Sequence, residues 1–159
     1  MNTLTEDPLI PLLKTQFASH DTSNFSVLDF VGAFGSPVEA LAYSRLFWPD
    51  FVEYQGMTFR KDALEDESDR QRVLEALVQY DQDRTRTEQS FNLTEVPSTL
   101  FTRRASESTD DIDLLLANQL AEMWRARLHL LFPHLRFVVE VLSPKESGGE
   151  IALWFYRIR

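Results

Sequence analysis

Apolar residues recur at helical spacing along the first third of the chain. Asp7 followed by Pro8 marks a helix start, and Leu9, Ile10, Leu13 and Phe17 fall on one side of the short helix it opens. Ser26, with Asp29 in the first turn, starts a second helix in which Val27, Phe30, Val31 and Phe34 repeat at i, i+3, i+4 and i+7, and Gly35 is placed to end it. Ser36-Pro37-Val38-Glu39 is a capping box with proline at the first helical position. The helix it opens runs to Trp48, where Pro49 stops it. Val38, Leu41, Ala42, Leu46, Phe47 and Trp48 point in nearly every direction around that axis, which predicts a central, largely buried helix.

The pattern then changes. Residues 51–60 are rich in β-branched and aromatic side chains around Gln55-Gly56, so they form one kinked strand or a small hairpin. Ser68 and Gln71 make a capping box for an amphipathic helix carrying Val73, Leu74, Leu77, Val78 and Tyr80. Beyond Tyr80 the sequence is polar on all sides, and the helix is expected to fray or project. Residues 94–109, rich in Ser and Thr, read as a long surface loop. Thr109, with Asp110 and Asp111 behind it, starts the longest helix, which runs to about Phe132 and ends at Pro133. Two strands, 135–142 and 150–158, close the chain as a hairpin with a long polar loop. The order predicts an α+β fold, with about five helices packed on a small, mainly antiparallel sheet that ends in a C-terminal β-hairpin.

Composition supports one globular domain over residues 1–159. The 43% hydrophobic content, with 12 Phe, 4 Tyr and 3 Trp, supplies a core, and a domain of roughly 150 residues buries about 70% of its unfolded surface. The net charge of -9 repels phosphates, so neither nucleic acid nor an anionic membrane is expected as a partner. The arginines at 70, 72, 84 and 86 are interleaved with acids, as on a solvated face, and Arg103-Arg104 is too short for a basic patch. The absence of cysteine removes disulfides, thiolate nucleophiles and iron-sulfur clusters. Without a basic, apolar leader pattern or a long apolar run, a cytoplasmic protein is expected.

Candidate chemistry is sparse. The glycines at 32 and 35 precede a helix start, but no P-loop lysine follows and Glu39 puts a negative charge in the first turn, so a plain cap explains them. On the long helix, Asn118, Glu122, Arg125 and His129 share one sector, opposite Ile112, Leu116, Leu120, Met123 and Leu131. Carboxylate, guanidinium and imidazole together could do acid-base work, although Glu122 and Arg125 one turn apart read first as a solvated pair. Arg127 falls within the apolar arc and needs a partner there. Asp81, similarly placed on its own helix, is the expected one.

His20, His129 and His134 lack metal-binding spacing, and Asp110, Asp111 and Asp113 lack that of a calcium loop. No metal or other cofactor is expected. No Gly-x-Ser-x-Gly elbow is present, and no residue is assigned a catalytic role. In the last strand, Trp154 and Tyr156 share one face and Leu153, Phe155 and Arg157 the other, so an aromatic face is either core or available to a partner. The leading expectation is a noncatalytic protein-interaction or regulatory domain, binding another protein or a second copy of itself. The binding candidates are Glu122, Arg125, Arg127, His129, Trp154 and Tyr156. The alternative is a small-ligand-binding protein or enzyme whose site is assembled from separated polar residues.

Overall fold

A computed structural model describes residues 7–15, 25–101 and 108–159. The chain divides into two compact units, residues 1–44 and 45–159. In the first, α1 (Leu9–Thr15) begins with the Asp7 carboxylate accepting the Leu9 N–H at 2.9 Å. Phe17, expected on the same helix, lies outside the described residues. The helix α2 (Val27–Phe34) starts at Ser26 as expected, and Ser26 and Asp29 there form a capping box. It ends where the Gly35 N–H donates to Val31 O; a side chain at Gly35 would meet that oxygen at 2.4 Å, so the close approach requires glycine.

Next comes α3 (Pro37–Phe47), whose last residues belong to the second unit. Its expected burial is not found. None of its residues is buried, and Val38 and Leu41 are 76% and 70% exposed. Apolar positions scattered around an axis, broken by Glu39, Ser44 and Arg45, give no continuous stripe to bury. Only the end of the helix, at Leu46 and Phe47, packs on a core.

The second unit opens with a hairpin, β1 (Phe51–Tyr54) against β2 (Met57–Arg60), turned at Gln55 and Gly56 with φ of 54° and 73°. Two successive left-handed residues match the twist of the strands and make the tight hairpin connection. After a 3-10 turn, α4 (Glu67–Gln79) is capped by Asp66 with Asp69, two residues ahead of the expected Ser68 cap. It buries Val73 and Leu77 against Met57, Phe59 and Leu64. The chain then does not fray. Asp81 and Gln82, both at positive φ, turn it into a further helix, α5 (Arg84–Asn92), capped by Asp83.

The stretch expected as a surface loop begins with β3 (Thr94–Glu95) and a π-helical turn, Val96–Leu100, in which Val96 and Pro97 are buried. Residues 102–107 lie outside the described ones. The long helix, α6 (Asp110–Leu131), starts at Thr109 as expected. The C-terminal hairpin is β4 (Phe137–Leu142) against β5 (Ala152–Arg157), and its loop holds the short helix α7 (Pro144–Ser147). The fold is thus α+β, with one two-stranded antiparallel sheet, β1-β2, and one three-stranded antiparallel sheet in the order β3-β5-β4.

The core face of α6 is rotated from the expected one. The buried positions are Asp113, Ala117, Leu120, Ala121, Trp124 and Leu128, whereas Ile112, Leu116 and Met123 are half-buried at the flank. Ala117 and Ala121 are small enough to admit close approach of the sheet, so the seam follows them rather than the larger side chains. Trp124 meets Phe51 and Phe155 edge-on at ring-centroid distances of 6.3 and 6.2 Å, and its indole N–H donates to Leu46 O at 3.0 Å. Edge-to-face packing of this kind contributes about 0.5–1.5 kcal/mol per pair beyond area burial.

Candidate functional site

Two polar side chains on one face of α5, Glu88 and Asn92, are 0% and 1% exposed. Spaced four residues apart, they project side by side. One Glu88 oxygen accepts the Thr58 N–H of β2 at 2.7 Å, and the other accepts the Arg157 N–H of β5 at 3.0 Å. The guanidinium of Arg159, 2.8 Å from Glu88, provides the opposite charge. The Asn92 amide donates to Thr58 O at 2.9 Å and to Phe155 O at 3.2 Å, while its oxygen accepts the Arg60 N–H at 3.4 Å. Thr58 and the Arg60 N–H on the outer side of β2, and Phe155 O and the Arg157 N–H on the stretch of β5 beyond its pairing with β3, are therefore satisfied by the same pair of side chains. An edge strand left bare inside a fold would cost about 1–3 kcal/mol per unpaired group, and α5 removes that cost on both sheets at once.

At the far edge of the three-stranded sheet one carbonyl has a side-chain partner. Because Phe155 and Arg157 turn their main chain toward α5, the pairs that exchange hydrogen bonds with β4 are the intervening ones, and Val139 points outward. There the Arg125 guanidinium donates to Val139 O at 2.6 Å.

The outer edge of β1 differs. Thr58 pairs with Glu53, and Arg60 with Phe51. Since Thr58 and Arg60 turn their amides to α5, the alternation of an antiparallel ladder turns those of Glu53 and Phe51 away from β2. Among the described residues, neither amide has a partner of its own. Beside this strand lies an open groove of about 790 Å³, touched by Val52, Glu53 and Tyr54 in succession. Successive strand residues point to opposite faces, so a groove that touches all three meets the strand along its edge. Its carboxylates are Asp50, Glu53, Asp62, Glu65 and Glu67; its cations are Arg45, Lys61 and Arg70.

The polar residues singled out on the long helix do not converge. Glu122 and His129 are exposed, and Arg125 is turned to β4. Arg127 does have an internal partner, but Asp81 is not it. The guanidinium lies 3.1 Å from Asp50, donates to Pro49 O at 3.2 Å and sits 5.5 Å from the centre of the Trp48 ring. Direction around a helix axis says which way Arg127 points, and the chain that passes there is the end of α3 and the start of β1. His134 is exposed in the turn after α6, and His20 lies outside the described residues.

Trp154 and Tyr156 are half-buried on the face of β5 opposite Leu153 and Phe155, as the alternation requires. The Trp154 indole donates to Glu140 at 2.7 Å. Burial, and then the Glu140 charge, hold the Tyr156 phenol above its ordinary ionisation range. The contribution of Glu88 and Asn92 was not apparent from the sequence; the available sign was their i, i+4 spacing with Phe91 on an otherwise polar helix. Compared with protein-family models, curated proteins and solved structures, the chain matches none.

Proposed function

We propose that the chain is a noncatalytic protein-interaction domain. The observation that carries this reading is the groove beside β1, an open surface walled by a strand edge and mixed charges. Extended partners bind such edges through main-chain hydrogen bonds, with side-chain pockets setting specificity. A second candidate surface is the half-buried face bearing Trp154 and Tyr156, where an aromatic body and a polar tip suit a partly wet interface. Of the polar residues that an enzymatic site would draw on, Arg125 is held to one carbonyl of β4 and Arg127 ties the start of β1 to α6, while Glu122 and His129 are exposed and do not converge with them.

The test is affinity capture of the tagged chain from its native lysate, beside two variants, Glu65→Lys in the groove and Trp154→Ala with Tyr156→Ala on the aromatic face. One protein recovered stoichiometrically and lost in either variant is the expected result, and the variant that loses it locates the surface. Recovery of no protein at native abundance, together with a small molecule retained in native mass spectrometry, would reverse the reading in favour of ligand binding.

A further inference from the structure

We infer that the exposed apolar faces of α2 and α3 pack against the same faces of a second copy of the chain, joining two first units as a helical dimer; this goes beyond the interaction reading above, which rests on surfaces of the second unit. Among the described residues, eight of the fourteen large apolar side chains left exposed lie in the first unit, where Leu13 alone is buried. On α2 they include Leu28, Val31 and Phe34, and on α3 Val38 and Leu41, all 53% to 81% exposed. The two helices are 8 and 11 residues long, and no residue of either is buried. Helices shorter than about 12–15 residues are marginal in water without a packed face. These apolar side chains therefore need a cover.

Area and charge select an identical copy as that cover. A large ring takes about 150–250 Å² out of water and an aliphatic side chain somewhat less, so the five together present on the order of 600 Å². One partner in a stable dimer gives up about 800 Å², about 65% of it apolar where the two subunits are identical. Residues 25–44 carry two charges, Asp29 and Glu39, and no Lys or Arg, in a chain that is 26% charged. Each acid follows Leu28 or Val38 by one residue and so lies about 100° further around the axis, off the row of Leu28 with Val31 or of Val38 with Leu41. Asp29 is also engaged within its own helix, its carboxylate accepting the Ser26 N–H at 2.9 Å and the Ser26 hydroxyl at 2.7 Å. A different partner is selected by complementary charge, for which these rows offer nothing, and transient interfaces are no more apolar than ordinary surface. A second copy brings no like charge to the rows and meets them as a self-complementary patch.

Sedimentation velocity of the full chain over a dilution series should show a reversible monomer–dimer equilibrium. Added salt should tighten it, because apolar contact holds the copies while their net charge of -9 drives them apart. Val38→Glu with Leu41→Glu should raise the dissociation constant about hundredfold or more, since like charges would then face one another across the contact. The milder Val38→Ala with Leu41→Ala, which adds no charge, should raise it about tenfold. Val78→Glu, at a 70% exposed position of α4 in the second unit, should leave it unchanged. The helix signal in far-UV circular dichroism should fall on dilution over the same range, as α2 and α3 lose their cover. A chain that is monomeric throughout, a dimer that salt weakens, a dimer untouched by the paired Glu variant, or equal weakening by Val78→Glu would each overturn the inference. A monomer that still captures a partner protein would overturn it too, while leaving the interaction reading intact.

Discussion

The small hairpin has two edges of nearly the same length and opposite fates. On the β2 side, two buried side chains from α5 take up the main-chain groups of Thr58 and Arg60. On the β1 side, Glu53 faces a groove. The contrast shows that a sheet edge can be closed without another strand: a carboxylate and an amide one helical turn apart imitate the spacing of a ladder. It also shows that openness is local, since both edges belong to strands only four residues long.

The closed edge should be much the more sensitive to mutation. Glu88→Ala strips one buried amide, one half-buried amide and Arg159 of their acceptor, and a loss of about 3–5 kcal/mol in folding free energy is expected from denaturant titration. Asn92→Ala leaves Thr58 O, Phe155 O and the Arg60 N–H without their side-chain partner, and should cost about 2–3 kcal/mol by the same measurement. At the far sheet edge, Arg125→Ala gives up one hydrogen bond where solvent can replace it. About 1 kcal/mol is expected, read as a small shift in thermal midpoint. The open edge should be the most tolerant: Glu53→Pro should cost less than about 1 kcal/mol, because its N–H bonds nothing among the described residues and its ion pair is partly solvated. A cost for Glu53→Pro as large as that for Asn92→Ala would erase the distinction between the edges.

Much of the architecture was legible in the sequence. Thr109 with its trailing acids and Pro133 bracket α6, and alternating residues with a polar loop between them mark the terminal hairpin, because caps, breakers and period are local signals. Gln55-Gly56 marked the hairpin turn for the same reason. Less local matters were not legible. The α5 segment looked solvated because its two decisive side chains are polar, and the main chain they satisfy lies 30 to 69 residues away. The need of Arg127 for a partner is legible from its place in the apolar arc, and its side chain is 19% exposed, yet helical direction alone does not choose Asp50 over Asp81. In α3, apolar content suggested burial that depends on what surrounds the helix. The candidate groove has no sequence signature, since its lining comes from the end of a helix, a strand, a 3-10 turn and the start of another helix.

The sharing of Glu88 and Asn92 between two sheets has a kinetic meaning. The amides of Thr58 and Arg157 sit on different sheets and far apart in the chain, yet their acceptors are the two oxygens of one carboxylate. Neither can reach solvent through the breathing of its own strand while α5 holds that carboxylate in place. Both then depend on a single opening event, the departure of α5, which makes the two sheets one cooperative unit in native-state exchange although they share no strand.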